Sequence, residues 1–239
     1  MKNKIIIFYN KISNKYDERY EGFCGKYIAE FEKRKILETL DVRQGDFILD
    51  IGTGTGEYAI EMAKKGAVVI GIDISKEIVK KARSKCNSFN VHFIVADAGN
   101  LPFKEEVKFD KIVGVGLIEY LNSEDFTELL KHLKSGGVAV FTGVANKYCI
   151  YRPILNRLLH NKGGTFKPVD KEYFESQGIL VEEVCRYFAI PPFFLRIIRK
   201  YFGSTFERFA YYIAYLVEKT PLRFFGMNIF IKLKKVVVK

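Results

Sequence analysis

Residues 49 to 56, Leu-Asp-Ile-Gly-Thr-Gly-Thr-Gly, constrain this chain more than any other segment. They read as a buried strand running directly into a glycine-rich turn, and Glu57 to Ala63 continue in helical character. A strand that ends in glycines and opens a helix brings backbone N–H groups and the positive end of a helix dipole against a ligand. The spacing narrows the ligand. Gly52, Gly54 and Gly56 make GxGxG, whereas a dinucleotide fingerprint places its third glycine where this chain has Glu57. Glu57, with Asp50 just before the turn, creates a field that favours an amino group or sulfonium over a diphosphate.

Two further strand ends carry carboxylates. Ala67 to Ile72 is an apolar, β-branched run ending in Asp73-Ile74-Ser75, with Ser75 placed to cap a helix. An acid about 20 residues past a glycine turn is placed to accept hydrogen bonds from ribose hydroxyls. Ile74 offers an apolar face to an adenine ring. Val91 to Ala96 ends in Asp97-Ala98, where a carboxylate can accept from an exocyclic amine. Any one of these acids could be a helix cap; three at successive strand ends indicate a site.

The chain here resembles the class I S-adenosylmethionine-dependent methyltransferases, in particular the ubiquinone/menaquinone-biosynthesis subgroup. The resemblance rests on LDIGTGTGEYA (49 to 59), VIGIDIS (69 to 75), VADAGNLPF (95 to 103), FDKIVGVGLIEYL (109 to 121) and LKSGGVAVFTG (133 to 143). It implies S-adenosylmethionine as cofactor, with the glycine turn around its methionine part, Asp73 on the ribose, Ile74 on adenine, and Asp97 with the Ala98 backbone at the adenine edge. The implied cofactor surface comprises Tyr16, Tyr20, Asp50, Gly52, Thr53, Gly54, Gly56, Asp73, Ile74, Asp97, Ala98 and Val115, with no metal. The implied reaction is in-line displacement at the sulfonium methyl, which needs alignment and exclusion of water, and a general base only for a poorly ionised nucleophile. Glu119, Tyr120 and Tyr16 are the candidates. Glu119 follows the fourth strand, where a helix-start carboxylate is the competing role. His160, in a basic stretch, reads as solvated.

Phe8, Ile12, Tyr16 and Tyr20 recur at helical spacing, an amphipathic stripe suited to packing on the sheet. The resemblance makes the same segment a lid over the cofactor, which would exclude water. The expected fold is α/β: a Rossmann-like, doubly wound seven-stranded sheet with an antiparallel last strand, an amino-terminal helical lid and a carboxyl-terminal helical insert. We expect two amino-terminal helices over roughly 2 to 20 and 25 to 40, a strand near Leu180 to Tyr187, and a last strand at Met227 to Val236. One domain is expected over 1 to 239, divided into a lid (1 to 44), a cofactor core (45 to 145), a substrate-side insert (146 to 224) and the last strand (225 to 239).

Charge divides the chain unequally. Residues 1 to 145 hold 22 Lys and Arg against 21 Asp and Glu, whereas 146 to 239 hold 17 against 7. This asymmetry points the carboxyl-terminal part at something anionic. From Pro191 onward aromatic residues interleave with Arg196, Arg199, Lys200 and Arg208, and Gly203-Ser204 is expected to break the segment into two helices, the second packed on the core. Its longest charge-free stretch, Phe209 to Val217, has nine residues, against roughly 20 for a membrane span. Such helices could cap an apolar substrate pocket or lie in the headgroup region of an anionic membrane. The acceptor expected is therefore a small molecule or a lipid-linked one. A non-catalytic protein binding a membrane or partner through these helices is the alternative. An RNA methyltransferase is a minor one, because after the fourth strand Gly114 to Tyr120 replaces the Asn-Pro-Pro-Tyr type of tetrad. Cys24, Cys86, Cys149 and Cys185 are scattered without a CxxC pair, and the amino terminus lacks a signal-peptide apolar run, which together suggest a cytoplasmic protein, peripheral to the membrane at most.

Overall fold

A computed structural model describes residues 2–20, 22–86, 90–144, 146, 148–151, 153–154, 156–157, 171–175, 179–187, 192–226 and 228–235; side chains at 19–20, 22–28, 173, 192–196, 198, 204 and 207 fall outside the description. Seven strands form one sheet: β1 Phe47–Ile51, β2 Val68–Asp73, β3 Val91–Val95, β4 Phe109–Gly114, β5 Leu133–Gly143, β6 Leu180–Tyr187 and β7 Asn228–Lys234. Their order is β3-β2-β1-β4-β5-β7-β6. The first five run parallel, and β7 slots antiparallel between β5 and β6, with Phe141 opposite Ile231 on one side and Val184 opposite Ile231 on the other. This is the expected sheet, including its antiparallel last strand.

Strand order reverses between β1 and β4. In an open, parallel sheet that reversal leaves a crevice at the carboxyl ends of the two strands, because the connecting helices depart to opposite faces. β1 is buried along Ile48 to Ile51, as a strand covered by helices on both faces must be. One apolar layer gathers Phe109, Phe126, Leu129, Phe141 and Phe174; the other gathers Ile36, Leu40, Met62, Val79, Val113 and Phe230.

The helices are α1 Lys2–Ile12, α2 Gly22–Leu40, α3 Glu57–Lys64, α4 Lys76–Lys85, α5 Ser123–Lys131, α6 Lys171–Glu175 and α7 Pro192–Glu218, with short 3-10 segments at Ser13–Tyr20, Ile118–Tyr120 and Pro221–Phe225. Ser75 caps α4, its hydroxyl accepting from the Ile78 N–H at 3.2 Å. Asn122 and Asp125 close a reciprocal capping box on α5.

Two expectations are revised. The first helix is not regular through residue 20: it tightens to 3-10 at Ser13, whose hydroxyl donates back to the Asn10 carbonyl at 2.9 Å. α7 does break at Gly203, which has φ 82° and ψ 179°, but its second half does not turn its aromatic side to the core. Phe206 and Phe209 are exposed, and this half rests on the domain through Ala214, which is buried, and Ala210, Tyr211 and Val217, which are half-buried.

Candidate functional site

The turn after β1 is built on left-handed backbone: φ is 65° at Gly52, 57° at Gly54 and 82° at Gly56. Residues with a Cβ are strained there, and space is short as well. A Cβ at Gly52 would lie 2.9 Å from Leu117 Cδ1, and one at Gly54 would lie 2.8 Å from the Tyr16 hydroxyl. Gly56 is the N-cap of α3, so the turn delivers the chain to a helix amino terminus at the crevice.

Two carboxylates hold this turn, and a third stands past the end of the next strand. Asp50 is wholly buried and accepts from Thr53 Oγ1 at 2.6 Å. Burial pushes its carboxyl up to about 7; the Thr53 hydrogen bond opposes the shift and the charge of Asp73 adds to it. Asp73, at the end of β2, accepts from the Gly54 N–H at 3.1 Å and the Ser75 N–H at 2.9 Å, tying the turn to the next strand end. Asp97, past β3, accepts from the Gly99 N–H at 2.9 Å and from Lys2 Nζ at 2.5 Å. Ile74, Ala98 and Val115 are half-buried at the ends of β2, β3 and β4. Glu57 is turned away from the role its position suggested: its carboxylate pairs with Lys33 Nζ of α2 at 2.9 Å, which offsets its contribution to the local field.

The amino-terminal segment is laced across these strand ends. Asn10 Oδ1 accepts from the Ser75 hydroxyl at 2.6 Å, and Lys81 Nζ donates to the Ser13 and Asn14 carbonyls, each at 3.2 Å. Asp17 takes the Thr55 hydroxyl at 2.7 Å, Lys85 at 2.6 Å and Lys81 at 3.0 Å. Partial burial alone would raise the Asp17 carboxyl, but the hydrogen bonds from Lys85, Thr55 and Lys81 outweigh it and hold it at about 2. Tyr16 is buried with its hydroxyl toward Gly54. The side chain of Tyr20 lies outside the described residues, as does all of His160.

Beside the turn, the Tyr9 and Tyr120 hydroxyls meet at 3.0 Å, and the Tyr9 ring centroid is 6.1 Å from Tyr16 and 6.2 Å from Tyr120. Burial and then the neighbouring Tyr120 and Tyr16 raise the Tyr9 phenol well above its ordinary value, so it stays protonated and can donate. Glu119 is buried and accepts from the Val144 N–H at 3.1 Å at the end of β5. It stands in the first turn of the short 3-10 segment Ile118–Tyr120, and α5 is capped by Asn122 and Asp125.

Lys2, Tyr9, Asn10, Asp17 and Leu117 at this site were not singled out by the sequence. Tyr9 sits one residue off the stripe of Phe8, Ile12, Tyr16 and Tyr20, and its partner is 111 residues away. Asp17, adjacent to Tyr16, carried the one local hint. Among the described residues no group of three His, Cys, Asp or Glu side chains could hold a metal ion, and Cys86, Cys149 and Cys185 form no disulfide.

A methyltransferase-domain family model matches residues 48–137. The chain is 34% identical over 179 residues to the uncharacterized protein MJ1252 of Methanocaldococcus jannaschii, covering 74% of this chain and 64% of that one. It is 34% identical over 125 residues to the ubiquinone biosynthesis O-methyltransferase of Pelagibacter ubique, covering 48% and 51%. These matches therefore span roughly half to under two thirds of the relatives' own lengths. In three dimensions the chain resembles the methyltransferase solved in complex with the Haloferax volcanii Trm112 methyltransferase activator, with a TM-score of 0.69 at 17% identity over 98% and 99% of the two chains. It also resembles phosphoethanolamine N-methyltransferase 2 of Haemonchus contortus in complex with S-adenosyl-L-methionine, with a TM-score of 0.64 at 20% identity over 86% and 52%. Strand order, glycine turn and these likenesses agree: this chain has the fold of the class I S-adenosylmethionine-dependent methyltransferases.

Proposed function

We propose that the chain is an S-adenosylmethionine-dependent methyltransferase acting on a small-molecule or lipid-linked acceptor. The observation that carries the reading is the left-handed glycine turn held by Asp50 and Asp73, with Asp97 past the end of the neighbouring strand β3, beneath the segment 2–20. The donor set suits this cofactor. Carboxylates favour an ammonium, a sulfonium, ribose hydroxyls and an exocyclic amine, and would repel a phosphate. Gly52 to Gly56 would hold the methionine part, with Thr53 keeping Asp50 oriented. Asp73 would hold the ribose, Ile74 the adenine face, and Asp97 with the Ala98 backbone the adenine edge; Lys2 on Asp97 would then move or share that carboxylate.

When bound, S-adenosylmethionine supplies a sulfonium methyl that a nucleophile displaces in line, leaving S-adenosylhomocysteine. The chain's own contribution is alignment and dryness. Tyr16 closes the turn, and Tyr9 and Tyr120 present a pair of phenols that can hold an acceptor by hydrogen bonding. Tyr120, Tyr16 and Glu119 are the groups that could take a proton. Glu119 is the carboxylate among them and, besides accepting from the Val144 N–H, is the candidate base, whereas the phenols of Tyr120 and Tyr16 would act after ionising.

Isothermal titration calorimetry with S-adenosylmethionine and S-adenosylhomocysteine tests this reading. We expect micromolar binding by the wild type and its loss in Asp73→Ala, with circular dichroism reporting that both are folded. A well-folded wild type that takes up neither molecule would overturn it.

A further inference from the structure

The aromatic side of α7 faces solvent. After the break at Gly203, Phe206, Phe209, Tyr212, Ile213 and Leu216 lie at helical spacing on the side opposite the buried Ala214. Phe209 is 64% exposed and Phe206 57%. A helix that packs only on its own domain keeps its outer side polar; this one is apolar both inward, at Ala210, Tyr211, Ala214 and Val217, and outward, and a contiguous apolar face in water marks a surface that something covers. The 3-10 turn Pro221–Phe225 behind it exposes Leu222 and Phe224 around Arg223.

Charge selects the occupant. Before Gly203 the helix carries Arg196, Arg199 and Lys200 with no acid, and from Ser204 to Gly226 Arg208, Lys219 and Arg223 stand against Glu207 and Glu218, so the helix and turn together are basic. Lys219 Nζ stands 4.4 Å from the Tyr215 ring centroid and Lys200 Nζ 5.3 Å from that of Tyr201, so cations ride on the rings. Aromatics flanked by cations are the arrangement of a helix lying in a headgroup layer, where rings enter the acyl boundary and long basic side chains reach anionic lipid. A second copy of this chain would set the same basic face against itself, a like-charge juxtaposition that disfavours a two-fold contact. Among the described residues no helix is long and apolar enough to cross a membrane, so contact would be in the plane of the surface.

We infer that α7 as a whole, whose first half also exposes Ile197, Tyr201 and Phe202, forms with the turn Pro221–Phe225 a docking surface for an anionic lipid bilayer. The inference stands apart from the methyl-transfer reading, since it rests on the exposed side chains of α7 and the turn and needs no cofactor. Vesicle flotation tests it directly. The wild type is expected to float with phosphatidylcholine vesicles containing phosphatidylserine, about tenfold less with pure phosphatidylcholine, and less as salt rises. The double variant Phe206→Ser/Phe209→Ser should lose most of the binding. Because the chain contains no tryptophan, Phe209→Trp supplies a single reporter whose emission should shift to the blue on adding anionic vesicles. Flotation unchanged in the double variant, equal binding to neutral vesicles, or an unshifted Trp would each overturn the proposal. So would a concentration-dependent dimer in sedimentation, lost in the double variant and without flotation, which would assign the face to a second copy. If Phe206→Ser/Phe209→Ser lowers calorimetric cofactor binding without changing flotation, the face belongs to the cofactor site and the proposal fails.

Discussion

Asp50 is a carboxyl in the interior of the sheet with no cation beside it among the described residues, and that fixes how it titrates. The folded chain keeps its proton up to about pH 7, whereas an ordinary carboxyl releases it near 3.8. Its contribution to stability is therefore complete below pH 3.8 and is lost as pH rises to about 7. Across that window the loss amounts to a few kcal/mol. We expect the unliganded wild type to lose Tm from pH 3.8 to about 7 relative to Asp50→Asn, as followed by calorimetric scans. A cationic ligand against the turn would favour the carboxylate, so binding near pH 6 should release close to one proton; titrations in buffers of differing ionisation enthalpy measure it. Much of this was readable in the sequence, because a strand-end acid before a glycine turn is a local pattern. Its burial was not, since β2 and β4, which flank β1 and enclose Asp50, begin 18 and 59 residues beyond it.

Among the elements, the segment 2–20 is held across the site mainly by polar ties, and Asp17 collects three of them. Asp17 is held at about 2, so its ties persist above pH 3.8 and fade as pH falls toward 2. Its side chain is 36% exposed, so its ion pairs are screened and worth about 1 kcal/mol in total. Asp17→Ala should raise the cofactor Kd about fivefold, mostly through faster dissociation in stopped flow, and should speed proteolytic cleavage within residues 2 to 20. An unchanged off-rate would show that the segment does not gate the site. The sequence located this element by its aromatic stripe but misread its interior: it tightens to 3-10 at Ser13, and its ties to Thr55, Ser75 and Lys81 are ones no local periodicity reveals. The same limit applies to α7. Its helices and break were legible in Gly203 and the aromatic spacing, whereas the direction of its apolar face depends on what it rests against.

For the whole molecule, the aromatic pairs Phe126–Phe141 and Phe126–Phe174, each 5.1 Å between centroids, join α5, β5 and α6. Phe174 is fully buried although its helix has five residues. Phe174→Ala should cost about 3–5 kcal/mol in urea unfolding, with a single cooperative transition retained if chain and insert fold as one domain; two separated transitions would divide them. What the sequence determined by itself was everything carried by short-range pattern: the strands, the left-handed glycine turn, and the acids at the carboxyl ends of β1, β2 and β3. Parallel βα units then leave few arrangements for the sheet. Only the tertiary structure decided that Glu57 pairs with Lys33, that Glu119 serves Val144, that Tyr9 meets Tyr120, and that the aromatic face of α7 looks outward. Each of these contacts joins elements distant in sequence or turns on which side of a helix finds a neighbour, and spacing along the chain carries no information about either.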